Sequence, residues 1–177
     1  NNHVEILEAH DKLGREKEQL AATIKSITES VIAIDTEQRI ILLNPEAERL
    51  LGMRQEDVTG QKFSALFSFL YYANRKPFPD PAAMLLEKCK TITAECPLLF
   101  TGSTGREFIL ELTGNPVITA KNQISGGVII LHDITEKHRL EEDILRIRKI
   151  DSLSVLAGGI AHDFNNLLTA ILGNISI

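Results

Sequence analysis

The chain has little sulfur and few aromatics: two cysteines, two methionines, seven phenylalanines, two tyrosines and no tryptophan among 177 residues. Cys89 and Cys96 stand alone, with no CxxC pair and no Cys/His cluster around them. Neither a zinc site nor a disulfide framework is expected, and a reducing cytosol fits best. Runs of eighteen or more apolar residues are missing, and so is any signal-peptide pattern. These residues are therefore expected neither to span a membrane nor to direct export, which leaves open a membrane anchor upstream in the parent protein. Basic stripes are also lacking, and the net charge is −5, which argues against a surface that tracks nucleic-acid phosphates. The chain starts on Asn1 and stops at Ile177 within an apolar helical pattern, so a piece of a longer protein is expected.

What is present is enough to fold: 44% of the residues are hydrophobic, sufficient for one ordinary domain with additional helix. Residues 1–29 hold Ile6, Leu13, Leu20 and Ile27 at sevenfold spacing among charged residues and without proline. This predicts a helix with a heptad seam, weakened where His10 and Lys17 occupy the intermediate positions. A dimeric coiled coil is the expectation and a single amphipathic helix the alternative.

At Ser30 the apolar period changes to two. "SVIAIDTEQRIILLN" predicts a hairpin around the polar turn Asp35–Gln38. "NPEAERLLGM" then predicts a short helix capped by Asn44, begun by Pro45, buried through Leu50 and Leu51 and stopped by Gly52. "RQEDVTGQKFSALF" and "AAMLLEKCK" supply further short helices on either side of the proline-rich "KPFPDP". Strand character returns in "TITAECPLLF", "REFILELTGNPVI" and "GGVIILHDI". Five strands are predicted, in an α+β domain over residues 30–135 whose single antiparallel sheet is packed by helices. A charged helix over 136–150 follows, with Leu140, Ile144 and Ile147 on one stripe, and the pattern runs on through 151–177.

The segment 30–135 resembles a PAS sensor domain. The likeness rests on "VIAIDTEQRIILLNPEAERLLGM" near its start, on "GQKF", and on "GGVIILHDITE" as last strand and exit. It implies a five-stranded antiparallel sheet with short flanking helices, and a signal passed through the Asp-Ile-Thr exit, with Asp133 and Thr135 as transmitting residues. The segment 149–177, "KIDSLSVLAGGIAHDFNNLLTAILGNISI", resembles the start of the dimerisation and phosphoacceptor domain of sensor histidine kinases whose histidine box reads H-D-F-N-N.

On a helix, Leu153, Leu156, Ile160, Phe164, Leu167 and Ile171 form one apolar side, and His162 projects away from it. An exposed imidazole, with an unperturbed pKa of about 6.5, is mostly neutral at pH 7 and a competent nucleophile. By itself a His-Asp pair on a helix is a solvated surface pair; the full string in register behind a sensor-like exit carries the functional reading. The resemblance implies that His162 accepts the γ-phosphoryl group of ATP and passes it to an aspartate of a response regulator. It also implies Asp163 as acid-base partner and Asn166 as the residue that orients a water for dephosphorylation. ATP and magnesium are expected to bind elsewhere in the parent protein, and this segment alone is expected to be inactive. A metalloprotease helix is excluded because position 166 is Asn where a second His is needed. Gly158 and Gly159 fit either a helix start or a bend preceding His162.

For the sensor, haem is not expected, since no histidine lies between His10 and His132. Flavin is not expected either, because neither cysteine stands in an Asn-Cys-Arg-Phe-Leu type of sequence. His132 is read as facing outward. What remains is a cavity lined by Ile, Leu, Phe and Tyr71 or Tyr72, for an unknown small organic ligand or none. The expected partners are a second copy of the chain and a response regulator, in the cytoplasm. The competing reading is a nonenzymatic ligand-binding or dimerisation module that scaffolds a partner.

Overall fold

The structure, a computed structural model, describes residues 27–150 together with Gln19, Ala22 and Thr23. The expected heptad seam of residues 1–29, save for those few positions, and the whole of 151–177 lie outside the described residues; Gly158, Gly159, His162, Asp163 and Asn166 are among the latter.

The first hairpin forms where the period-two pattern places it. Strands β1 (Ser30–Ile34) and β2 (Ile40–Leu43) flank a turn in which Asp35 Oδ1 accepts from the N–H groups of Glu37 and Arg39, both at 2.8 Å. A carboxylate that closes its own turn in this way removes two unpaired backbone donors. Helix α1 (Pro45–Leu51) follows with every local signal in place: Asn44 Oδ1 accepts from Ala47 N–H, Pro45 occupies the first turn, and Gly52 ends the helix at φ 70°. A side chain at position 52 would be strained by that left-handed backbone and would also meet Ser103 Oγ at 2.5 Å. Two single turns, α2 (Gln55–Val58) and α3 (Phe63–Leu66), bring Val58 and Phe63 inward. Strand β3 is Leu70–Tyr71, and α4 (Pro81–Lys88), capped by Asp80, completes the helical layer.

Strands β4 (Ile92–Thr93), β5 (Leu98–Thr101), β6 (Glu107–Ile118) and β7 (Ile124–Asp133) finish one antiparallel sheet in the order β2-β1-β7-β6-β5-β3, with β4 also on β6. The prediction of five strands is thus corrected to seven. One addition is β3, two residues long and set by its partners Leu98 and Leu99. The other arises because "TITAECPLLF" is broken. Both pieces pair with the same edge of β6, but Ala94 to Leu98 covers four steps while β6 covers two, from Leu112 to Leu110. The surplus residues bulge outward and carry Cys96 into solvent.

Alternation sorts the side chains onto two faces. Ile32, Ile34, Leu98, Phe100, Leu110, Leu112, Ile129 and Leu131 meet Leu51, Phe63, Phe67, Phe69 and Leu85 in the main core. Leu99, Ile109 and Ile134 form a second, smaller cluster against Leu70 and Tyr72. Residues 135–150 are helical, here α5, and the chain divides between Thr135 and Glu136 into two compact units. On α5, the predicted stripe Leu140, Ile144 and Ile147 is exposed.

Candidate functional site

Between the helices and the sheet, where the sequence reading set a ligand cavity, aromatic and aliphatic side chains of the chain pack on one another. Phe63 packs edge-on to Phe67 with centroids 5.0 Å apart, and Phe69 lies 5.6 Å from Phe100. Leu85 on α4 is fully buried. Tyr71 packs on Phe78 at 5.3 Å, beside the main core, whereas Tyr72 belongs to the second cluster, so the two tyrosines do not line one cavity. The open grooves near α1 are lined largely by charge: one of about 300 Å³ is formed by Glu46, Arg49, Leu50, Arg106, Phe108 and Asp133. Among the described residues, no His, Cys, Asp and Glu come together in a group suited to a metal ion. No helix among them is long and apolar enough to cross a membrane.

The structure does bring the predicted exit residues together. Thr135 donates its N–H to Asp133 Oδ1 at 2.9 Å, and its hydroxyl donates to the same oxygen. The Thr135 hydroxyl oxygen accepts in turn from Ile109 N–H at 2.9 Å, while Ile134 N–H donates to Ile109 O at 2.9 Å. Both backbone groups of Ile109, near the start of β6, are thus taken up by residues 134 and 135. Thr135 is buried, and Ile134 packs on Leu99 and Ile109. A short polar chain and a buried isoleucine fasten the last residues of the domain to its longest strand.

The entrance is fastened by a residue that sequence reasoning assigned only half its work. Asn44 caps α1 as expected, but the same Oδ1 accepts from Val31 N–H at 2.9 Å, and Nδ2 donates to Glu29 O at 2.8 Å and Ile27 O at 3.4 Å. The side chain is 1% exposed. One carboxamide therefore ties the segment leading into β1 to the start of α1. The cap was legible from the Asn-Pro pair; its second set of partners comes from a strand thirteen residues earlier, which no local pattern specifies.

Entrance and exit are neighbours, because Ser30 pairs with Leu131 across β1 and β7. His132 faces outward, half exposed, with Nδ1 3.7 Å from Glu29 Oε1. The charge between them is solvent-screened and worth little to stability. Of the cysteines, Cys89 caps α4 in a left-handed conformation and donates to Leu86 O at 3.3 Å; both are exposed.

The PAS domain family matches residues 28–136, which is more than half of the chain. The chain is 28% identical over 156 residues to the signal transduction histidine-protein kinase AtoS of Escherichia coli, covering 87% of this chain and 24% of that protein. Sporulation kinase E of Bacillus subtilis is 29% identical over an alignment that covers all of this chain and 23% of the kinase. The cyclic di-GMP phosphodiesterase PdeB of Shewanella oneidensis is 27% identical, with 82% of this chain and 16% of that protein aligned. The chain thus spans about a quarter or less of these relatives. Among solved structures, a PAS domain from Colwellia psychrerythraea superposes with a TM-score of 0.52 at 20% identity, covering 67% of this chain and 97% of that one, a likeness of fold. The sheet order, the short helices on one face and the match over residues 28–136 agree, and the chain belongs to the PAS domain family.

Proposed function

We propose that this chain is the sensor and phosphoacceptor portion of a cytoplasmic, dimeric two-component histidine kinase. The observation that carries the reading is the string "GGIAHDFNNLL", residues 158–168, set directly behind a PAS domain and its helical exit. The alignment of the whole chain with sporulation kinase E supports it further. ATP and magnesium, bound elsewhere in the parent protein, supply the phosphoryl group. One ring nitrogen of neutral His162 forms the N–P bond as the bond to the ADP oxygen breaks, and Asp163 holds the proton on the other ring nitrogen and takes it up as charge develops. The phosphoryl group then passes to a response-regulator aspartate, and Asn166 positions the water that hydrolyses the bound regulator's aspartyl phosphate to inorganic phosphate. The exposed stripe Leu140, Ile144 and Ile147 on α5 suits pairing with a second copy. A change in the domain would reach His162 through Asp133, Thr135 and α5.

The test is phosphorylation of the parent protein by ATP and magnesium. A base-stable, acid-labile phosphohistidine is expected in the wild type and none in His162→Ala. Asp163→Asn should slow its formation by about 10²- to 10⁴-fold, the usual share of a positioned acid-base group. Asn166→Ala should keep phosphorylation and lose phosphatase activity. Label retained by His162→Ala would overturn the assignment. PdeB, similar over 82% of this chain, favours one alternative, a PAS module that serves a different output or scaffolds a partner. That alternative predicts no phosphohistidine in the wild type.

A further inference from the structure

The inner face of the sheet has two gaps in its row of side chains. Gly114 on β6 and Gly127 on β7 lie diagonally across the β6–β7 ladder, since Gly114 pairs with Ile129 and Gly127 with Pro116. Gly127 also pairs with Ile34, so it sits in the middle of β1, β7 and β6. Two missing side chains on adjacent strands make a trough. Leu85 fills it from above: a Cβ at Gly127 would fall inside the Leu85 side chain, and one at Gly114 would meet Leu85 Cδ2 at 3.4 Å and Ile92 Cγ1 at 2.8 Å. Leu85 is fully buried in the main core, so a shift of its tip must be accommodated by its packed neighbours.

We infer that Leu85 and the Gly114–Gly127 trough form a latch by which α4 bears directly on β7, so that lifting α4 loosens the exit at residues 133–135. The reason is continuity. Gly127, Ile129 and Leu131 share the inner face of one strand, and that strand ends at Asp133, whose neighbours Ile134 and Thr135 are hydrogen-bonded to Ile109 and Asp133. Packed contacts shift between arrangements rather than deform continuously, so an apolar knob seated in a two-glycine hole suits a switch better than a graded contact does. This gives the sheet's inner face a resident occupant contributed by the chain itself. Its bearing on kinase control rests on the reading above, but the measurement below concerns the domain alone, so the two ideas fail separately.

The experiment compares Gly127→Ala, Leu85→Ala and the double variant in the 177-residue chain, by chemical denaturation and amide hydrogen exchange. Gly127→Ala should lower the unfolding midpoint, and the same substitution on the Leu85→Ala background should lower it far less or raise it, because the new methyl enters space the leucine has left. In Gly127→Ala, exchange should quicken by about tenfold or more in α4 and at the amides of Ile109, Ile134 and Thr135, with β2 unchanged, and the double variant should restore the exit amides. If Gly127→Ala does not fold alone, it is read on Leu85→Val, which lacks the offending δ-methyl; folding there supports the latch, and failure there overturns it. Additive effects of the two substitutions would overturn it as well. So would loosening of α4 without any change at residues 109, 134 and 135.

Discussion

The entrance and the exit of the domain lie side by side yet are held by different means. At the entrance, one buried carboxamide, Asn44, satisfies backbone groups of Ile27, Glu29, Val31 and Ala47. At the exit, one hydroxyl, Thr135, satisfies the N–H of Ile109 and is itself held by the more exposed Asp133. Removing a buried partner costs the desolvation of every group left behind, so losing a four-way hub costs more than losing a single relay.

Substitutions at three positions would break or sharpen this contrast. Asn44→Ala strands buried donors and acceptors on both sides and should destabilise the domain by about 3 kcal/mol or more in denaturant unfolding, with Asn44→Asp restoring only the accepting half. Thr135→Val leaves Ile109 N–H buried without its acceptor and should cost about 1–3 kcal/mol, whereas Thr135→Ser should stay within about 0.5 kcal/mol of the wild type. Equal losses for Asn44→Ala and Thr135→Val would remove the asymmetry between hub and relay. Glu29→Gln, which discharges the partner of half-exposed His132, should change stability by less than about 0.5 kcal/mol; a larger loss would mean that the two chain ends are bound to each other as well as to the sheet.

Legibility from the sequence followed the range of the interaction. Helix α1 was readable from Asn44 to Gly52 because a cap, a proline in the first turn and a left-handed stop act within a few residues. The Asp35 turn was readable for the same reason. The exit residues Asp133 and Thr135 were named from family likeness, and the contact of Thr135 with Ile109 depends on a strand 26 residues away. Strand β3 went unpredicted because two residues carry no periodicity; they are a strand only because β5 is beside them. The break between β4 and β5 was signalled only by Glu95 and Pro97, which disfavour a strand but are tolerated at a sheet edge, and the bulge itself exists only relative to β6.

Alternating hydrophobicity and local caps by themselves determined the class of fold, the order of most elements and the α1 boundaries, because each is a property of neighbours along the chain. Tertiary structure alone decided that Asn44 is a hub, that Tyr71 and Tyr72 belong to different clusters and that Leu85 closes the space over the sheet. A glycine in a strand has no side chain to pack, so Gly114 and Gly127 taken singly only weaken β6 and β7. They become a seat only when pairing sets them on one face and α4 lowers a leucine between them, because a hole requires two strands and its filling requires a third element.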